Sequence, residues 1–123
     1  DIVVPVASIP KILTDLEKIA KEYNVLIPTY GHAGDGNLHA TVVKKPEMDM
    51  DEWEETLDKV LEAIYDKTFS YGGTISGEHG IGHKRKKYLN KCLEPAALEL
   101  MRRIKKAFDP NNILNPGKIV DAN

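Results

Sequence analysis

Residues 25–43 read VLIPTYGHAGDGNLHATVV, and this stretch decides the fold. Val25 to Tyr30 and Leu38 to Val43 are rich in β-branched residues, which favours two strands. The glycines and Asp35 between them are residue types that are typical of tight turns. The stretch therefore predicts an antiparallel hairpin.

Strand and helix patterns alternate on both sides of this hairpin. Ile2 to Val6 predicts a first strand, and an apolar stripe at helical spacing predicts a helix between Ser8 and Asn24. A long helix is predicted from about Asp51 to Ser70, followed by a short strand from Thr74 to Ser76. The order strand, helix, strand, strand, helix, strand is the split pattern of a ferredoxin-like sandwich. We therefore expect an α+β fold, an antiparallel sheet with two helices on one face, plus extra C-terminal helices.

The last quarter of the chain predicts one amphipathic helix and then turns. Leu98, Met101, Ile104 and Phe108 recur at helical spacing in the segment 95–108, so we expect them to face a core. Asparagine and proline dominate the segment that follows, which is typical of turns. Because proline restricts the residue before it, we expect Asn115 to be extended and able to direct its amide into a site.

Composition limits the class of protein. The 123 residues are 41% apolar and 29% charged with a net charge of −2, which indicates one globular domain over residues 1–123 and gives no sign of a nucleic-acid or membrane-surface partner. No apolar run approaches the length of a transmembrane helix. The single Cys92 excludes an internal disulfide framework and fits a reducing compartment, so we expect a cytoplasmic protein. A start at Asp1 without methionine is expected for a fragment, and a processed terminus is the alternative.

The length of the hairpin turn decides whether His32 and His39 can act together. A two-residue turn at Asp35-Gly36 would place the two histidines directly opposite each other. A four-residue loop, Ala33 to Gly36, would place His32 opposite Asn37 and make the histidines diagonal neighbours. Both registers put the two rings on one face of the sheet, with Cβ atoms roughly 5–8 Å apart. A three-residue loop would put them on opposite faces and exclude a shared site.

Two imidazoles are ligands that suit zinc, iron or manganese, and a carboxylate commonly completes such a set. Asp35 lies in the turn and is expected to bond the local backbone. Glu78, in the glycine-flanked segment SGEHGIG, is the preferred third ligand. The site would then have two histidines, one carboxylate and open positions. The ordinary alternative is that histidines beside a turn form an exposed polar surface.

Further candidates follow Glu78 in the chain. His79 carries an imidazole that can take up a proton near neutral pH, although an exposed loop histidine is the simpler interpretation. His83 is interpreted as a helix-start or surface residue and not as a ligand. The basic run from Lys84 to Lys87 is typical of a solvated helix face, and the functional alternative is attraction of an anionic substrate or cofactor.

Three segments resemble a known family when they are taken together and in order. They are GHAGDGNLH (31–39), GGTISGEHGIG (72–82) and AFDPNNILNPGKI (107–119). The chain is similar over nearly its whole length to the C-terminal domain of the FAD-linked oxidases. This family includes glycolate oxidase subunits, D-lactate dehydrogenases and D-2-hydroxyglutarate dehydrogenases, within the vanillyl-alcohol oxidase superfamily.

The resemblance implies a ferredoxin-like domain that covers the flavin and forms the substrate site. It implies that His32, His39 and Glu78 bind a divalent metal, that His79 is the general base, and that Asn115 lies near the flavin. The reaction would be oxidation of a small 2-hydroxy acid to a 2-oxo acid by hydride transfer to FAD. Partners would be the FAD domain of the same polypeptide and an electron-transfer subunit.

The chain also departs from the family pattern. The N-terminal FAD-binding domain, any glycine-rich phosphate loop and the arginine region that holds substrate are absent from these 123 residues, so the chain alone is expected to be inactive. Thr41 stands where the 2-hydroxyglutarate branch is expected to have asparagine, which favours glycolate or D-lactate. The alternative function is a stand-alone metal- or ligand-binding ferredoxin-like module, and the tail motif argues against it.

Overall fold

The computed structural model describes residues 1–121, and the fold is α+β as predicted. The strands within this range are β1 (Ile2–Val3), β2 (Thr29–His32) and β3 (Asn37–Ala40). The α-helices are α1 (Ile9–Glu22), α2 (Met50–Ser70), α3 (Leu89–Cys92) and α4 (Pro95–Phe108), and single 3-10 turns lie at Val6–Ser8 and Lys86–Tyr88. The chain divides into two compact units, residues 1–79 and the residues from 80 onward.

The sheet of the first unit is antiparallel, with β3 between β1 and β2. Thr74 extends it on the other side of β1 by a single bridge to Val3, in which both N–H···O distances are 2.9 Å. With Thr74 in the place of a fourth strand, the order of the segments is the one expected for the split β-α-β pattern.

The strands are shorter than predicted, and proline explains much of the difference. Pro28 has no N–H to donate, and the hairpin pairing on its far side is reduced to an isolated bridge between Leu26 and Val43. The predicted strand 74–76 is also wrong beyond Thr74. There the donors Ser76 Oγ, Glu78 N and His79 N bind the side chain of Asp1 and not a neighbouring strand.

One face of the sheet forms the core of the first unit. Ile2 and Leu38 are paired across β1 and β3, and both are buried. The apolar stripes of α1 and α2 supply the rest of this core, with residues that are almost fully buried: Ile12, Leu16, Ile19, Val60 and Ile64. Because side chains alternate along a strand, Asn37 and His39 project from the opposite face.

Polar groups fix the ends of both long helices. Asp49 caps α2 by accepting the N–H of Glu52 at 2.8 Å, and Asn24 follows α1 with a φ of 54°. Asp15 in α1 is 8% exposed and accepts the hydroxyl of Tyr71 at 2.7 Å. This hydrogen bond, together with Lys18, lowers the pKa of the Asp15 carboxyl below its ordinary value.

Local polar contacts fix the end of α4 in the second unit. Asp109 is 5% exposed, and its carboxylate accepts the N–H groups of Ile113 and Leu114 at 3.0 and 2.9 Å. Lys105 pairs with the same carboxylate, and these contacts lower the pKa of Asp109. The turn after α4 is therefore organised by one buried acid.

The expected burial of the α4 stripe is wrong for two of its four residues. Leu98 and Met101 are half-buried, but Ile104 is 50% exposed and Phe108 is 85% exposed. Helical spacing predicts which residues share a face, and it does not show that another element of the same chain covers that face. Within residues 1–121, no helix has the length and hydropathy that crossing a bilayer would require.

Candidate functional site

The hairpin adopts the four-residue loop, one of the two registers that place both histidines on one face. His32 pairs with Asn37, and Tyr30 pairs with His39, so the loop is Ala33 to Gly36. The two histidine rings are diagonal neighbours with centroids 5.7 Å apart, and they are nearly perpendicular. The length of the turn therefore permits a site shared by the two histidines, which the sequence alone did not decide.

The chemistry of the turn explains why this loop forms. The carboxylate of Asp35 accepts the N–H of Asn37 at 3.1 Å, so Asp35 bonds the local backbone as predicted. Gly36 has a φ of +83°, and a Cβ atom there would lie 2.0 Å from the carbonyl oxygen of Val4. Only glycine tolerates both the conformation and the contact.

Glu78 lies over the polar face of the sheet and joins the two histidines. Its Oε1 is 2.9 Å from His39 Nε2 and 3.6 Å from His32 Nε2. Ligand atoms about 2.1 Å from one metal ion lie roughly 3–3.5 Å from each other. The His39–Glu78 distance fits two ligands of one divalent cation, whereas His32 is slightly farther from Glu78 and does not belong to the group of donors that lie within 4.8 Å of one another. Nitrogen and carboxylate oxygen are also the donor types that zinc, manganese and iron accept.

His79 lies beside this group. Its ring stacks on that of His39 with centroids 4.9 Å apart and 13° between the planes, and its Nε2 is 3.9 Å from Glu78 Oε1. The His39 side chain is 11% exposed, whereas that of His79 is 56% exposed. His79 thus has one face against the site and one face open to an incoming molecule.

Asp1 is a member of the site that the sequence analysis missed. Donor atoms of Asp1, His39, Glu78 and His79 all lie within 4.8 Å of one another. The Asp1 carboxylate also accepts the hydroxyl of Ser76 at 2.9 Å. A signal was present, because an acidic residue stands directly before the first strand, but nothing in the sequence links it to a segment more than 70 residues away.

Two buried polar atoms at the site lack a hydrogen-bond partner among the described residues, Asn37 Oδ1 and His39 Nδ1. They belong to alternate residues of β3 and so lie on the same face. The backbone of Gly77 crosses this face so closely that a Cβ atom there would lie 2.8 Å from the Asn37 amide nitrogen. Buried polar atoms without partners are uncommon and costly, and they occur more often at functional sites.

An open pocket of about 420 Å³ adjoins the cluster. The residues that line it are Val3, His32, Asp35, Asn37, Gly77 and Glu78. Its walls combine carboxylates, an imidazole and a carboxamide with one valine, so it suits a small polar molecule better than a large apolar one.

Asn115 belongs to the second unit, and its predicted extended conformation is wrong. Its φ is 49°, in the left-handed region. The carbonyl of Asn115 accepts the N–H of Lys118 at 3.3 Å, and Gly117 has a φ of 73°, so Pro116-Gly117 forms the centre of a tight turn. Asparagine enters the left-handed region more readily than most residues, which outweighs the restriction that the following proline imposes.

The basic run Lys84 to Lys87 engages groups of its own unit. Lys86 forms an ion pair with Asp121, and the Lys87 ammonium lies 5.1 Å from the centre of the Tyr88 ring. The run lies in a turn and in the 3-10 turn, so the predicted helix face is wrong in its secondary structure. The contacts of Lys86 and Lys87 with their own unit nevertheless argue against a patch that is free to bind anions.

Comparison with known proteins identifies the same family that the sequence motifs resemble. The family described as FAD linked oxidases, C-terminal domain, matches residues 1–119. Relatives include a D-lactate dehydrogenase of Anaerostipes hadrus (41% identical over 119 residues, 97% of this chain and 25% of the relative). Others are the glycolate oxidase subunit GlcD of Bacillus subtilis (41%, covering 97% and 25%) and a D-2-hydroxyglutarate dehydrogenase of Stutzerimonas stutzeri (40%, covering 99% and 27%). The chain thus spans about a quarter of the length of these relatives.

Proposed function

Because the chain belongs to the family of FAD-linked oxidase C-terminal domains, we propose that it is the substrate- and metal-binding part of an FAD-dependent 2-hydroxy-acid dehydrogenase or oxidase. The observation that carries this proposal is the convergence of His32, His39 and Glu78, with His79 stacked beside them. The names of the three relatives also share one chemistry. Lactate, glycolate and 2-hydroxyglutarate all have a carboxylate next to a carbon that bears a hydroxyl group.

The metal-binding part of the proposal rests on three side chains. His39 is largely buried and would be the fixed ligand, while Glu78 and His32, with exposed fractions of 48% and 61%, would hold the ion from the solvent side. A divalent zinc, manganese or iron ion held there would supply positive charge to the substrate carboxylate and hydroxyl oxygens. The open side of the cluster leaves room for those oxygens.

His79 is proposed as the general base. Its Nε2 would hold the proton of the substrate hydroxyl while the carbon beneath it is oxidised to the 2-oxo acid. Stacking on His39 restricts the plane of the ring, so the nitrogen is held in one direction. FAD would supply the hydride acceptor, and Asn115 is proposed to lie near it, on the basis of the family resemblance.

The rest of the proposed assembly lies outside this chain. FAD would be held mainly by another domain of the same polypeptide, and an electron-transfer subunit would be a further partner. We propose glycolate or D-lactate as substrate, because Thr41 replaces the asparagine expected in the 2-hydroxyglutarate branch. Identity does not separate these substrates, since the three kinds of relative are 41%, 41% and 40% identical to the chain.

Metal analysis of the purified full-length protein tests the proposal. We expect about one divalent metal ion per chain in the wild type and in His83→Ala, and a loss of metal in His39→Ala and in Glu78→Gln. His83 is the control because it is an exposed histidine of the other unit. Turnover is then measured with glycolate, D-lactate and D-2-hydroxyglutarate and an electron-accepting dye. A metal-free wild type, or metal retained by His39→Ala, would refute the metal site. Metal binding without oxidation of any 2-hydroxy acid would favour the stand-alone metal-binding module.

A further inference from the structure

Asp1 holds the segment that carries Glu78 and His79, and it does so through the backbone. Its Oδ2 accepts the N–H of His79 at 2.9 Å and the hydroxyl of Ser76 at 2.9 Å. The N–H of Glu78 lies 3.3 and 3.4 Å from the two carboxylate oxygens. One carboxylate thus gathers three donors from four consecutive residues.

Two consecutive N–H groups on one acceptor fix the orientation of the peptide groups on both sides of Glu78, so that the peptide preceding each of the two residues is restrained. The directions of the Glu78 and His79 side chains follow from these peptide groups, since each Cβ position is set by the backbone. Hydrogen bonds to an ionised acceptor are about twice as strong as neutral ones. Asp1 therefore restrains the two side chains through the backbone that carries them.

The first strand reinforces this contact. Two residues after Asp1, Val3 exchanges both backbone hydrogen bonds with Thr74. The segment 74–79 is thus fixed to β1 at its beginning by backbone pairing and at its end by the Asp1 carboxylate. Between these two points, Gly77 lies directly against Asn37 of β3. Two strands of the sheet, β1 and β3, thus position the whole segment.

Asp1 lies close enough to the other donors to be considered as a metal ligand. The hydrogen bonds that its carboxylate already accepts favour a different role. Oδ2 already receives two donors at 2.9 Å, and Glu78 N–H occupies the space between the two oxygens. We propose that Asp1 is a positioning residue, which orients Glu78 towards His39 and keeps His79 beside them. The consequence for metal affinity rests on the proposed function, whereas the anchoring of the segment does not.

Asp1→Asn tests the proposal in the full-length protein, with Asp51→Asn as the matched control. Asn has nearly the same shape as Asp, but it carries no charge and only one of its two terminal atoms can accept a hydrogen bond, so the three donors lose an ionised acceptor. Asp51→Asn removes the same charge at the start of α2. In the metal-free protein, we expect amide hydrogen exchange at Glu78 and His79 to be about tenfold faster or more in Asp1→Asn. Exchange at Ile64, in the core, should stay unchanged in both variants.

The second measurement is metal affinity, determined by competition with a chelator, together with the visible spectrum of the Co²⁺-loaded protein. We expect Asp1→Asn to bind metal about 10–100-fold more weakly and to change the spectrum, because the ligand geometry is altered. Unchanged exchange at Glu78 and His79, or unchanged affinity and spectrum in a wild type that binds metal, would overturn the role of Asp1. If the wild type binds no metal, the proposed metal site fails, and the exchange data alone still decide whether Asp1 anchors the segment.

Discussion

Ile12 in α1 and Phe108 in α4 both lie on apolar helix stripes, but Ile12 is 0% exposed and Phe108 is 85% exposed. The same difference in the burial of apolar side chains separates the two units to which these helices belong. Residues 1–79 contain most of the buried apolar side chains of the described chain, whereas no residue of α4 is buried. The first unit is held by a shared core, whereas the second combines a few buried apolar residues, Tyr88, Leu89 and Val120, with its turns and the contacts of Asp109.

This comparison explains where the candidate site is built. All of its members, Asp1, His32, His39, Glu78 and His79, lie in the first unit, on strands or on a segment bonded to a strand. Sites that require fixed distances are best supported by rigid elements with a packed core behind them. Asn115, in contrast, lies in a turn of the second unit.

Replacing one histidine in each unit gives the largest expected contrast. If His79 is the general base, His79→Ala should reduce kcat of the full-length protein by about 10²–10⁴-fold. His83→Ala, in the second unit, should remain within about twofold of the wild type, since surface substitutions outside a site have small effects. Steady-state kinetics with the best 2-hydroxy acid measures both. Equal losses in the two variants would remove the proposed base and the distinction between the units.

The next effect concerns the core of the first unit. Ile12→Ala should lower the free energy of unfolding of the 123-residue chain by about 2–5 kcal/mol, because it leaves a cavity where no side-chain surface is exposed. Urea unfolding followed by circular dichroism measures the change. A loss below about 1 kcal/mol would contradict the complete burial of Ile12 in the core of the first unit.

Much of the first unit could be predicted because local rules and tertiary structure agree there. The glycine-rich turn between two β-branched runs set an even-length loop, and strand alternation then placed His32 and His39 together. Glu78 could be assigned to the site from the sequence because it lies among glycines after a predicted strand. Asp1 could not be assigned to the site, because its hydrogen-bond partners are distant in sequence. The burial predicted for Phe108 was wrong for a different reason, since amphipathic spacing does not reveal what covers a helix face.

Replacing Asp15 has an intermediate expected effect, and the size of this effect depends on pH. Its pKa is lowered in the folded state by Tyr71 and Lys18, so its contribution is complete above the ordinary value of 3.8 and is lost as the pH falls below it. We expect Asp15→Asn to lower the free energy of unfolding by about 1 kcal/mol at neutral pH. The difference from the wild type should shrink in acid. Urea titrations at several pH values measure this difference in the free energy of unfolding. A difference that becomes larger in acid would contradict a lowered pKa of Asp15.

Phe108→Ser gives the smallest expected effect and tests the second unit most directly. Phenylalanine and serine have similar helix propensities, and the Phe108 side chain is mostly in contact with solvent. The free energy of unfolding of the 123-residue chain should therefore change by no more than about 0.5 kcal/mol. Leu89→Ser is the matched control in the same unit, because Leu89 is 4% exposed and its replacement should destabilise the chain clearly. If Phe108→Ser costs as much as Leu89→Ser, then α4 is covered in solution, and the contrast between the two units is smaller than the exposures indicate.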